Sequence, residues 1–225
     1  MSGPLGGIYR GFQTLDSGGI YLILAELIVL VLLLLIAFPV HEMAHALAAR
    51  WLGDDTAERL GRVTLNPIRH LDPIGTVLFV LTGFGWAKPV PVTLHRLRGN
   101  PRTSFALVAL AGPVSNLILA VLFALIFRTL LPALGTAGGL ADVLAFALST
   151  AVSLNIILAL FNLIPMPPLD GSRLLTALLP ARGQAIADQI ERYGLFILIA
   201  LSFTGVLGML IVRPATLLTQ LLLGR

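Results

Sequence analysis

Long runs of apolar residues, interrupted by short polar and basic stretches, dominate this chain of 225 residues. Four of the runs reach the length of about 20 residues that a helix needs to cross a bilayer. They cover residues 20–51, 103–131, 140–164 and 193–212. No polar stretch between them is long enough to form a separate soluble domain. The pattern predicts an all-α membrane protein with about four transmembrane helices in a single domain, residues 1–225.

A fifth apolar run, residues 74–87, carries no charge but is too short to cross the bilayer comfortably. It follows Asp72-Pro73, a pair that is typical of a helix N-cap and first turn. We predict a re-entrant or half-spanning segment. Lys and Arg favour cytoplasmic loops, and a segment that turns back places the basic residues on both of its sides on one face. These residues are Arg50, Arg59, Arg62, Arg69, Lys88, Arg96, Arg98 and Arg102.

The composition supports a membrane protein and narrows the possible chemistry. Hydrophobic residues make up 57% of the chain and charged residues 12%, which excludes an ordinary soluble domain. The net charge of +4 lies in loops between apolar runs, where it favours membrane orientation over nucleic-acid binding. Since there is no cysteine, disulfides and thiolate chemistry are excluded, and a transition metal must use nitrogen and oxygen ligands. The apolar run after Arg10 has no small-residue cleavage site, so we expect it to be retained rather than removed as a signal peptide.

The end of the first predicted span carries the sequence His41-Glu42-Met43-Ala44-His45. Residues four apart lie on one face of a helix, so both imidazoles can reach one ion. In H-E-x-x-H zinc enzymes the histidines bind the metal and the glutamate transfers a proton. Ionisable groups inside a membrane cost roughly 2.5–3.5 kcal/mol each and persist mainly where they function. The motif predicts zinc-dependent peptide-bond hydrolysis with Glu42 as the general base.

A catalytic zinc usually has a third protein ligand, and Asp170 is the best candidate for it. Asp170 follows three prolines that end the third predicted span, and Gly171 after it permits a tight bend. Non-helical backbone at membrane depth is tolerated inside protein or beside a water-filled cavity, which a hydrolytic site requires. The alternative is an ordinary exit turn in which Asp170 caps a helix. If residues 74–87 turn back, the first and third spans end on the same side, and Asp170 can meet the histidines.

These two motifs resemble those of the site-2 protease family of intramembrane zinc metalloproteases, in its short prokaryotic branch without a PDZ or CBS domain. The stretch from Asn162 to Gly171 is similar to the family's Asn-x-x-Pro-x-Pro-x-x-Asp-Gly motif, whose aspartate is the third zinc ligand. The resemblance implies a three-helix core, one catalytic Zn²⁺ held by His41, His45 and Asp170, and cleavage of transmembrane segments of other proteins. It also makes Asn162 a candidate for holding the substrate backbone or polarising the scissile carbonyl.

The expected location is therefore a bacterial inner membrane, with the active site nearer the cytoplasmic side. A metal-binding transporter is an alternative, although it needs polar groups on a path to both faces and here they cluster at one end. A scaffold of the same family that has lost activity but binds membrane partners is another. For His70 and His95, in the basic loops, the pattern is compatible with ordinary loop histidines, gate residues or an accessory metal site. Zinc is favoured, but the ligand types also suit other divalent ions.

Overall fold

The computed structural model describes residues 8, 17–82, 85–134 and 139–224. Within them the regular structure is helical and no β-strand occurs, which confirms the predicted all-α class. The elements in chain order are α1 (Ser17–Leu32), a π-helical turn (Leu33–Ala37), α2 (Phe38–Trp51), α3 (Thr56–Arg59), α4 (Pro73–Thr82), α5 (Pro101–Leu134), α6 (Leu140–Asn162), α7 (Gly171–Leu178), α8 (Ala181–Phe203) and α9 (Val206–Leu223). Short 3₁₀ turns lie at Pro67–Arg69 and Leu94–Arg96.

Four helical stretches are long and apolar enough to cross a membrane: Gly19–Trp51, Pro101–Pro132, Leu140–Asn162 and Val206–Leu223. The first three agree with the predicted runs to within two residues at either end. The fourth does not, because the predicted run 193–212 is divided between α8 and α9. Gly205 adopts a left-handed conformation at φ 75°, which ends one helix and starts the next. The apolar helix of this region is therefore α9, and it continues to Leu223.

A π-helical turn joins α1 to α2 in one continuous rod. Phe38 donates its backbone N–H to the carbonyl of Leu33, five residues earlier rather than four. Pro39 follows directly and has no N–H to donate to the preceding turn, so the regular ladder cannot continue through it. The wider turn accommodates this proline. It lies immediately before the turn of α2 that carries His41, and such bulges are frequent at functional sites.

Helix α5 lies at the centre of the molecule and packs along α2, α6 and α7, while α1 and α9 pack against α6. The main core cluster lies between α5, α6 and α9 and combines small residues with aromatic and branched ones. Its members are Ala120, Phe123, Ala124, Phe127, Leu148, Ala151, Val152, Ile156, Ala215 and Leu223. Small residues permit the close helix contacts that van der Waals packing needs within a membrane. This packing fixes α5 against α6 and α9, while a separate contact joins α5 to α2, the helix that carries the histidines.

The short apolar segment folds as a hairpin around α4. That helix has 10 residues, about 15 Å, roughly half the thickness of a bilayer core. Lys88 donates its backbone N–H to the carbonyl of His70 over 2.7 Å, and Leu71 pairs with Ala87 in an isolated antiparallel bridge. The two ends of the segment are thus bonded to each other. This contact brings the two ends of the segment together, and the re-entrant course across the membrane stays a prediction.

Candidate metal centre

The two histidines of the H-E-x-x-H motif occupy successive turns of α2 and face the same point. His41 and His45 are both buried, with exposed fractions of 8% and 7%. Their Nε2 atoms lie 3.1 Å apart. The four-residue spacing and the helical backbone account for this approach.

Asp170 reaches the histidines through the proline-rich loop after α6. The loop turns back tightly, since a Cβ atom at Gly171 would overlap the backbone carbonyl of Leu163. Asp170 lies just before α7, and its Oδ2 is 3.2 Å from Nε2 of His41 and 3.4 Å from Nε2 of His45. Among the described residues, these three form the one group of His, Asp and Glu side chains close enough to share a metal ion.

Hydrogen bonds at the Nδ1 atoms determine which ring nitrogen of each histidine carries the proton. His45 Nδ1 lies 2.8 Å from the backbone carbonyl of Val108, which can only accept, so Nδ1 carries the proton. His41 Nδ1 lies 2.6 Å from Oδ1 of Asn116. The amide of Asn116 donates to Oδ1 of Asn155, which leaves its own oxygen to accept from His41. In the neutral rings both Nε2 atoms therefore present lone pairs to the centre.

These three groups fit a zinc ion. When both rings are neutral, two imidazole lone pairs and a carboxylate oxygen converge on one point, where Oδ2 of Asp170 is buried without a hydrogen-bond partner. Such an arrangement is repulsive unless a cation occupies its centre. Ligands held about 2.0–2.1 Å from a tetrahedral zinc are roughly 3.3 Å apart, which agrees with the observed spacings. The hydrogen bonds to Nδ1 orient the rings as outer partners do in known zinc sites.

A glycine on α5 makes room for the centre. A Cβ atom at Gly112 would overlap Nε2 of His45 and lie 2.6 Å from Cε1 of His41. The backbone of α5 therefore packs directly against both rings. Because Val108 and Asn116 are on the same helix, α5 provides both the space for the imidazoles and the acceptors that orient them.

A cavity of about 640 Å³ opens onto the centre. Glu42 lines it beside the histidines, and its Oε2 lies 4.0 Å from a guanidinium nitrogen of Arg62. The lining also includes Asn162 and residues of the extended stretch 85–92. Asn162 donates its side-chain N–H to the carbonyl of Leu158, within α6. The structure thus places all five predicted site residues around one cavity.

The two loop histidines lie elsewhere. His95 is exposed in a 3₁₀ turn. His70 is fully buried, and its Nε2 lies 2.7 Å from the backbone carbonyl of Thr64. Burial lowers the pKa of the His70 imidazole and so favours its neutral form. Neither is part of the metal-ligand group.

Sequence reasoning missed the side chains that support the centre. Asn116 of α5 and Asn155 of α6 are buried and form a chain of hydrogen bonds that ends on His41. An uncharged polar residue buried in an apolar span was the available signal. The sequence pattern indicates only a basic residue of a cytoplasmic loop at Arg62, whereas in the structure Arg62 is buried, with only 5% of its surface exposed. Nothing local to Arg62 or Gly112 indicates that they face the histidine helix.

Comparison with known proteins finds one family match and two relatives that share the same type of name. The profile described as Peptidase family M50 matches residues 136–205, a range that includes α6, the proline-rich loop and Asp170. YwhC of Bacillus subtilis, named as a candidate zinc metalloprotease, is 44% identical over 186 residues, which cover 82% of this chain and 84% of YwhC. Rip2 of Mycolicibacterium smegmatis, named in the same way, is 29% identical over 180 residues, which cover 77% of this chain and 66% of Rip2. No solved structure matches the chain significantly.

Proposed function

The chain belongs to peptidase family M50, the site-2 protease family, and from this premise we propose that it is a zinc-dependent endopeptidase that cleaves transmembrane segments of other membrane proteins. The observation that carries the proposal is the convergence of two imidazole nitrogens and one carboxylate oxygen on a single point. The point lies on the lining of a cavity, beside Glu42, which is not one of the three ligands. A metal, a proton-transfer group and space for a peptide are what hydrolysis of an amide needs.

His41, His45 and Asp170 would hold the metal, and Asn116 and Val108 would keep the rings in the ligating tautomer. When bound there, zinc supplies Lewis-acid chemistry that makes a water molecule nucleophilic at neutral pH. Glu42 would accept the proton of the water that attacks the peptide carbonyl. It then returns the proton to the amine nitrogen as the carbon–nitrogen bond breaks.

Substrates would enter along the extended stretch 85–92. Trp86, Ala87, Pro89, Val90 and Val92 line the cavity, and none of them is in a helix. A helical substrate hides its peptide bonds in its own hydrogen-bond ladder, so it has to unwind before cleavage. An extended backbone next to the site offers an edge on which an unwound segment can lie. Trp86→Ala should then reduce both substrate crosslinking and cleavage, and unchanged values for both would contradict this route.

We place the protein in a bacterial inner membrane with the site nearer the cytoplasmic face. The support comes from the basic residues between α2 and α5, together with the bonds that join the two ends of the segment around α4, His70 to Lys88 and Leu71 to Ala87. The aqueous cavity then opens toward the cytoplasm, where water is available for hydrolysis.

The test is cleavage of single-span membrane proteins in proteoliposomes, with the zinc content of each enzyme measured in parallel. Glu42→Gln should keep zinc and lose at least about a hundredfold in cleavage rate, because a positioned acid-base group contributes 10²–10⁴. Glu58→Gln is a matched control, since Glu58 is a surface residue of α3 that pairs with Arg50. It should cleave like the wild type.

Two outcomes would refute the proposal. Cleavage at the wild-type rate by Glu42→Gln would remove the assigned base. Zinc-loaded wild type that cleaves none of a broad set of single-span proteins would favour the inactive scaffold instead.

A further inference from the structure

The side chain of Arg62 is buried between the catalytic helix and the cavity wall. Its exposed fraction is 5%, although it follows a short surface helix in a polar loop. Taking a guanidinium out of water costs several kcal/mol unless its donors and charge find partners. Its position therefore requires specific contacts.

Those contacts join two parts of the site. Nη1 donates to the backbone carbonyl of Pro89 over 2.9 Å, and Nη2 donates to that of Lys88 over 2.5 Å. Nη2 also lies 4.0 Å from Oε2 of Glu42, which has a side-chain exposure of 12%. The two carbonyls are neutral, so within the described part of the chain Glu42 is the anion paired with this buried cation.

The backbone that Arg62 holds is also fixed from its other side. Lys88 donates its N–H to the carbonyl of His70, and the buried His70 ring is bonded to the carbonyl of Thr64. The stretch at Lys88 and Pro89 is thus held by both its N–H and its carbonyls. Its neighbours Ala87 and Val90 line the cavity. One guanidinium therefore lies between Glu42 and this wall: it is hydrogen-bonded to the wall and within ion-pair distance of Glu42.

We propose that Arg62 is a positioning residue for the hydrolysis: it fixes the Glu42 carboxylate with one nitrogen while it holds the wall at Lys88 and Pro89, so that a peptide along this wall meets Glu42 in a fixed register. The inference rests on the proposed function. Arg62 has no lone pair to offer a metal and takes no part in proton transfer, because a guanidinium remains protonated. Its planar fork allows it to serve the two carbonyls and the carboxylate together, which a lysine cannot do.

The experiment compares Arg62→Gln and Arg62→Lys with the wild type for zinc content, kcat and KM on a single-span substrate in detergent. Arg59→Gln is the matched control, because Arg59 is three residues away, exposed, and paired with Asp55 outside the cavity. We expect all the enzymes to bind one zinc. Per zinc-loaded enzyme, kcat should fall about tenfold to a hundredfold in Arg62→Gln, as for a misplaced catalytic group. Arg62→Lys should lie between this variant and the wild type, and Arg59→Gln should match the wild type.

A second measurement does not depend on turnover. In the Glu42→Gln background, a photoreactive residue at position 90 should crosslink bound substrate, and adding Arg62→Gln should reduce the yield several-fold because the wall is no longer held. An equal yield would contradict the positioning of the wall. A kcat for Arg62→Gln within twofold of the wild type would overturn the proposal, and so would loss of zinc in proportion to activity, which marks a purely structural role.

If Arg62→Gln does not fold, Arg62→Lys provides the test. A wild-type kcat for that variant would overturn the proposal. Failure of the proposed function is distinct from these results, because it appears as absent cleavage by the zinc-loaded wild type itself.

Discussion

Replacing Gly112 by alanine tests whether the packing of α5 against α2 shapes the metal centre. The new Cβ atom would lie 2.6 Å from Cε1 of His41 and closer still to His45, where ordinary contact begins near 3.4 Å. The rings or the helix must therefore move by at least about 0.8 Å, several times the tolerance of about 0.2 Å for a metal ligand. The rings cannot simply turn aside, because their Nδ1 atoms are bonded to Val108 and Asn116 on that same helix.

The expected result is weaker zinc binding. Loss of an outer partner in known zinc sites costs 10–100-fold in affinity, or about 1.4–2.7 kcal/mol, and we take this as the minimum for Gly112→Ala. The assay is competition for zinc with a chromogenic chelator. Gly208→Ala is the matched control, since Gly208 is also helical and a Cβ atom there would meet nothing within 4 Å. Wild-type affinity in Gly112→Ala, with Gly208→Ala unchanged, would refute the reasoning.

Three further predictions concern the surroundings of the site and the stability of the fold. Asn116→Leu removes the acceptor for His41 and should weaken zinc binding by about 10–100-fold in the same assay, and wild-type affinity would contradict this role. Chelation should lower the melting temperature of the protein, and added zinc should restore it. The reason is that a ligand at a hundred times its Kd stabilises the folded state by about 2.7 kcal/mol. A melting temperature insensitive to zinc would count against a bound metal. Burial raises the pKa of Asp54, but hydrogen bonds from Thr56 and Thr93 outweigh this effect and hold its pKa below the usual value. The stability that Asp54 contributes is therefore present above its unfolded pKa of about 3.9 and is lost as the pH falls toward the folded pKa. Asp54→Asn should flatten the loss of thermal stability below about pH 4. A profile of melting temperature against pH that is unchanged in this variant would contradict the prediction.

The helices and the members of the metal group were accessible from the sequence because local rules govern them. Four-residue spacing places His41 and His45 on one helix face, and a proline-rich stop after α6 explains why Asp170 lies in a loop rather than in a helix. If residues 74–87 turn back, the chain crosses twice between the histidines and that stop, and this even number predicts that both lie on the same side.

The remaining features depend on which surfaces face each other, and no local pattern encodes that. Asn116 lies 75 residues from His41, and its role follows only from the packing of α5 on α2. Arg62 has the loop context of any cytoplasmic arginine. The error in the fourth span is different, since the local signal was present. Both α8 and α9 are apolar near residue 205, so hydropathy alone joined them, whereas the Thr204-Gly205 pair marks where the helix ends.

The central claim is that His41, His45 and Asp170 together hold one zinc ion. The most direct measurement is the zinc content of the purified protein, compared with that of His45→Ala, Asp170→Ala and Glu42→Gln. The account predicts one zinc per chain in the wild type and in Glu42→Gln, and a large loss in both ligand variants. Wild-type zinc content in His45→Ala and Asp170→Ala would contradict it.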